Sequence, residues 1–141
     1  MKILVIEDSR LLRSAIERTL SRAGYDVVSV GDGQERLSRA QDIHPDIILL
    51  DMMLPTLAGT GVLRQLKQDS ATKSIPVIIL SGLSQKNETK LKKAGASAYF
   101  EKSLLNLDKD GNGLLKAVQK VAAELPGAND NSAETAIAGV V

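Results

Sequence analysis

The chain alternates between short runs that are apolar at successive positions and longer stretches in which apolar residues return every three or four positions. The runs are Lys2–Ile6, Asp26–Val30, Asp46–Leu50, Pro76–Leu80 and Ser97–Glu101. Aliphatic on both faces, such runs predict buried parallel strands. Between the first two, Leu12, Ala15, Ile16, Thr19 and Leu20 keep helical spacing, and Gly24 supplies a stop. Gln34–Gln41 predicts a second helix, closed by His44-Pro45. Gly61–Gln68 predicts a third, with Val62, Leu63 and Leu66 inward. Lys86–Ala94 predicts a fourth, stopped at Gly95, and Leu114, Leu115, Val118, Val121, Ala122 and Leu125 mark a fifth. Five βα units in succession predict an α/β fold, a doubly wound parallel sheet with helices on both faces. Such a sheet binds its ligand at the carboxyl ends of the strands, near the point where strand order reverses. Residues 1–125 are expected to form this one domain. From Pro126 on, the Ala, Gly, Asn, Ser and Thr have no sustained period, so 126–141 reads as a disordered tail or linker.

Composition narrows the partners. Seventeen acidic and 18 basic residues leave a net charge of +1, which argues against nucleic acid as a direct partner. The first apolar run stops at Glu7 and Asp8, too short for a signal core or a membrane span. There is no cysteine, so thiolate metal sites and disulfides are excluded, and a reducing cytoplasm is a compatible setting. Tyr25, Tyr99 and Phe100 are the only aromatics, so the core must be aliphatic.

The polar residues gain meaning once placed on the sheet. Glu7 and Asp8 end the first strand, Asp51 follows the third, Ser81 the fourth and Lys102 the fifth, so all face one end. Carboxylates crowded together repel, and a proton or a cation must relieve them. Oxygen ligands without His or Cys favour magnesium or calcium. Lys102 adds a cation and Ser81 a hydroxyl donor. Together these groups suit phosphoryl transfer, with a carboxylate as nucleophile. Each residue also has a plainer reading. Asp8 and Ser9 can cap a helix, Asp51 can sit in a turn before Pro55, Lys102 can be solvated and Tyr99 can simply pack. His44, before a proline, reads as a turn residue. Asp108-Lys-Asp110-Gly-Asn112-Gly113 opens like an EF-hand loop, but the twelfth position is the neutral Gln119. An Asp/Asn/Gly-rich turn explains the same residues.

At this point the sequence resembles the receiver domains of two-component response regulators, over roughly residues 2–125. The likeness rests on Ile3-Leu-Val-Ile-Glu-Asp-Ser9, Pro45-Asp-Ile-Ile-Leu-Leu-Asp51, Met52-Met-Leu-Pro55 to Gly59, Ile78-Ile-Leu-Ser-Gly82 and Gly95-Ala-Ser-Ala-Tyr-Phe-Glu-Lys102. Each is weak alone; their order and spacing are specific. The resemblance implies a flavodoxin-like (βα)5 fold with strand order 2-1-3-4-5. It implies that Asp51 is the phosphoacceptor and that Mg2+ is held by Asp8, Asp51 and the backbone carbonyl of Met53, with Glu7 reaching the metal through water. It implies Lys102 and Ser81 at the phosphoryl group, and Ser81 with Tyr99 as the switch pair. The implied phosphodonor is a histidine kinase or histidine phosphotransfer protein. The implied readout is altered binding of a downstream protein at the fourth helix, fifth strand and fifth helix. Such a domain is not an enzyme beyond its own phosphorylation and dephosphorylation. Two departures bear on the output face: Ser103 stands where the family has proline, and Ser103–Asn112 is long. An aspartyl phosphatase would need a second aspartate where Met53 stands. A flavin module would need a Gly/Ser/Thr loop where Glu7-Asp8 stands. A degenerate receiver, binding partners without phosphorylation, would not need the acidic and lysine positions.

Overall fold

The computed structural model describes residues 1–31, 35–51, 59–81, 95–101 and 112–125. Five parallel strands form one sheet in the order β2-β1-β3-β4-β5. They are β1 (Lys2–Ile6), β2 (Asp26–Val30), β3 (Ile47–Asp51), β4 (Val77–Ser81) and β5 (Ala98–Glu101). The described helices are α1 (Arg10–Arg22), α2 (Glu35–Ile43), α3 (Gly59–Gln68) and α4 (Asn112–Ala123). The expected helix Lys86–Ala94 and the tail from Pro126 lie outside the described residues, so α4 is the fifth helix of the sequence reading.

The strands are apolar on both faces because both faces are covered. Leu4, Ile6, Ile48, Leu50, Val77 and Ile79 pack with Val62, Leu63 and Leu66 of α3 and Ala40 of α2. Ile3, Val5, Ile47, Leu49, Ile78 and Leu80 pack with Ile16 and Leu20 of α1 and Leu114, Val118 and Val121 of α4. Successive strand residues therefore enter alternate cores, as the pleat requires.

Two strands sit one residue later than the apolar pattern suggests. Asp51 and Ser81 are the last residues of β3 and β4, not the first residues beyond them. The ladder is made by backbone groups, so Asp51 still pairs with Leu80, and Ser81 with Glu101, after the apolar side chains have ended. Gly24 acts as expected: with φ +97° it closes α1 by donating to Ser21 O at 3.0 Å, while Tyr25 N donates to Leu20 O at 3.1 Å. His44 ends α2 with φ +46°, its N–H donating to Ala40 O at 3.2 Å, which makes it a turn residue.

Candidate functional site

The sheet brings β1 and β3 side by side, with Ile6 opposite Leu50. Order reverses at this pair, so their carboxyl ends flank the crevice where such sheets hold ligands. Glu7 and Asp8 leave β1 there, and Asp51 ends β3 there. One carboxylate oxygen from each of Glu7, Asp8 and Asp51 lies within 4.8 Å of the others. Glu7 and Asp51 are fully buried and Asp8 is exposed. Carboxylates crowded at this separation repel one another, so a positive charge at the cluster is favoured. The donor set is all oxygen, with an open side at Asp8. That suits a hard divalent cation which keeps some of its water.

The loop from β1 to α1 fixes these side chains. Ser9 is the N-cap of α1, and its hydroxyl accepts the Leu12 N–H at 3.3 Å. The capping expected of Asp8 or Ser9 is thus done by Ser9. The Ser9 N–H donates to Glu7 Oε2 at 3.0 Å, so the start of the helix orients the buried carboxylate. Glu7 N also donates to Val30 O at 3.1 Å, extending the β1–β2 ladder by one bond. Arg13 donates from Nη1 to the Glu7 backbone oxygen at 3.1 Å. The sequence reading missed Arg13; its spacing from Glu7 carried no signal until α1 was folded back over the strand end.

The remaining expected residues divide in two. Ser81 closes β4, one position inside the strand rather than just beyond it, and Tyr99 lies in β5 paired with Ile79. Met53, Lys102 and Ser103 lie outside the described residues, as do Asp108 and Asp110 of the EF-like stretch. Gln119 is an exposed residue within α4.

The comparisons with known proteins agree with this geometry. The model of the response regulator receiver domain family matches residues 3–109. The chain belongs to that family. Receiver domains are phosphorylation-dependent signalling switches, and this chain carries that domain. The chain is 45% identical over 83 residues to the probable transcriptional regulator ycf27 of Porphyridium aerugineum, covering 59% of this chain and 33% of that one. It therefore spans about a third of that regulator's length. It is 38% identical over 105 residues to protein PilG of Pseudomonas aeruginosa, covering 72% of this chain and 76% of PilG. The solved chemotaxis response regulator CheY4 of Vibrio cholerae superposes with a TM-score of 0.76 at 30% identity, over 85% of this chain and 97% of its own. The Mn(2+)-bound form of response regulator Rcp1 gives a TM-score of 0.68 at 26% identity, over 87% of this chain and 92% of its own.

Proposed function

We propose that this chain is the phosphoryl-accepting switch of a two-component pathway and that Asp51 is the acceptor. The carrying observation is the buried Asp51 carboxylate held with Glu7 and Asp8 at the β1/β3 crevice. The donor is a phosphohistidine of a histidine kinase or histidine phosphotransfer protein. The P–N bond breaks, an Asp51 carboxylate oxygen forms the new P–O bond, and the histidine nitrogen keeps the electron pair. Glu7, Asp8, Asp51 and the Met53 backbone carbonyl are the groups that would hold Mg2+. When bound, the ion supplies positive charge to the phosphoryl oxygens. The likeness to the Mn(2+)-bound Rcp1 supports a divalent cation. Lys102 and Ser81 are assigned to the phosphoryl oxygens as cation and hydroxyl donor.

On this reading the chain catalyses only its own phosphorylation and dephosphorylation, and it works in the cytoplasm. Ser81 turns toward the phosphoryl group, and Tyr99 takes the space beside β4. The surface formed by Lys86–Ala94, β5 and α4 then changes its affinity for a downstream protein. The test is incubation with a small phosphodonor and magnesium, read by intact mass. One phosphoryl group is expected on the wild type and none on Asp51→Asn. Full modification of the variant removes Asp51 from the role.

A further inference from the structure

A second polar cleft lies beside the acidic crevice, on the α1, β2 and α2 side. It has a volume of about 640 Å3 and is lined by Arg10, Arg13, Ser14, Glu17, Ser29, Val30, Gly31, Ser38 and Arg39. That size is in the range of small-ligand pockets, roughly 300–1,000 Å3. Its chemistry is unlike theirs in one respect: Val30 is the only sizeable apolar side chain among the nine described lining residues. Among the described lining residues, three guanidinium groups from two helices share one space with a single carboxylate. That carboxylate, Glu17, already accepts a hydrogen bond from the Ser29 hydroxyl.

Guanidinium groups do not titrate in proteins, so this lining keeps its positive charge, and an anion is its natural counterpart. Arg13 is set in advance for one: it is half-buried, with Nη1 donating to the Glu7 backbone oxygen. Gly31 leaves the room it needs, since a Cβ there would stand 3.0 Å from Arg13 Nη1. Arg10 and Arg39 are exposed, one on each flanking helix. Ser14 adds a hydroxyl on the same wall. The site therefore offers forked donors at separate points around a concave space, which matches an anion bearing charge on several linked groups. Among the described residues no aromatic ring lines it, so they offer no stacking surface for a base. A flat acidic protein surface would meet Arg10 and Arg39 but would not reach the recessed Arg13.

We propose that this cleft binds the oligophosphate group of a small ligand, either free inorganic polyphosphate or the phosphates of a nucleotide. Calorimetric titration of the full chain in metal-free buffer tests this, with inorganic tripolyphosphate, a nucleoside triphosphate and an oligoglutamate peptide as probes. Tripolyphosphate is expected to bind, with affinity falling as salt rises. Arg39→Gln and Arg10→Gln should each weaken it about tenfold, and Arg39→Lys by less, since the charge stays but the fork is lost. Equal affinity for the nucleotide identifies the phosphates alone as the recognised group; tighter binding of the nucleotide identifies it as the source. Asp51→Asn should bind as wild type does, so failure here and failure of the phosphoacceptor reading are separable. The proposal is overturned if neither phosphate probe binds, if the arginine variants bind as wild type does, or if only oligoglutamate binds.

Discussion

Asp8 is the exposed member of the acidic cluster, while Glu7 and Asp51 are buried. Removing Asp8 therefore opens no cavity, and a loss can be assigned to ligation. Asp8→Ala is expected to weaken magnesium by tenfold or more, about 1.4 kcal/mol, with little change in stability. A titration showing equal affinity in wild type and variant removes Asp8 from the ligand set. Two glycines allow a second comparison. Gly24 and Gly95 both have positive φ, but a Cβ at Gly24 meets open space, whereas one at Gly95 would lie 2.8 Å from Lys67 Cγ. Lys67 cannot swing away cheaply, because its ammonium donates to Ile75 O at 2.7 Å and Lys73 O at 3.3 Å. Gly24→Ala should cost about 1–2 kcal/mol in urea unfolding, from backbone strain alone. Gly95→Ala should cost about 1–3 kcal/mol more, and Lys67→Ala in the same chain should recover that excess. Equal costs for the two glycines would show that Lys67 yields. The sequence showed Gly95 as a helix stop but not its packing, because Lys67 comes from a different βα unit.

Helix α1 does two jobs with one turn. The Ser9 hydroxyl satisfies the helix end through Leu12, while the Ser9 N–H holds the Glu7 carboxylate. Ser9→Ala removes the first and keeps the second. It should cost about 1 kcal/mol of stability, read by urea unfolding, and leave magnesium affinity near wild type. A fall in affinity as large as that of Asp8→Ala would mean that the cap itself shapes the site. At this scale the sequence was legible where side-chain pattern decides the outcome. The aliphatic runs identified β1 and β2 to the residue, and Gly24 located the end of α1. It was less legible where backbone bonding decides. β3 and β4 were placed one residue early because their ladders continue through Asp51 and Ser81, whose side chains do not look like strand. The site carboxylates were legible because two strand ends, those of β1 and β3, carried acid where nothing in the core required it. The tethers from Ser9 and Arg13 were not, being made by a backbone N–H and by a side chain from the first turn of α1.

Across the whole molecule, β1, β3 and β4 form a partition with a separate aliphatic core on each side. A signal from Asp51 under the proposed switch starts at the strand ends, where the aliphatic packing of the sheet stops. Under the proposed switch, amide exchange with and without beryllofluoride should therefore change most at residues 81–94 and 98–102, with the buried strand interiors silent. Changes confined to Glu7, Asp8 and Asp51 would show that occupancy is not relayed through Ser81 and Tyr99. The same partition bears on how the sheet assembles. A strand coated on one face only finds its alignment because slipping by one residue would turn its oily side to water. β3 has no such guide: Ile47 through Leu50 are all fully buried, so a slipped strand would still bury four aliphatic side chains. What resists the slip is Asp51. Moved one step inward from its place opposite Leu80, its carboxylate would enter the aliphatic layer now filled by Leu50, at a cost of several kilocalories per mole. Glu7 does the same for β1. Glu7 and Asp51, the buried pair of the acidic cluster, thus also stand where they oppose a one-residue slip of β1 and β3.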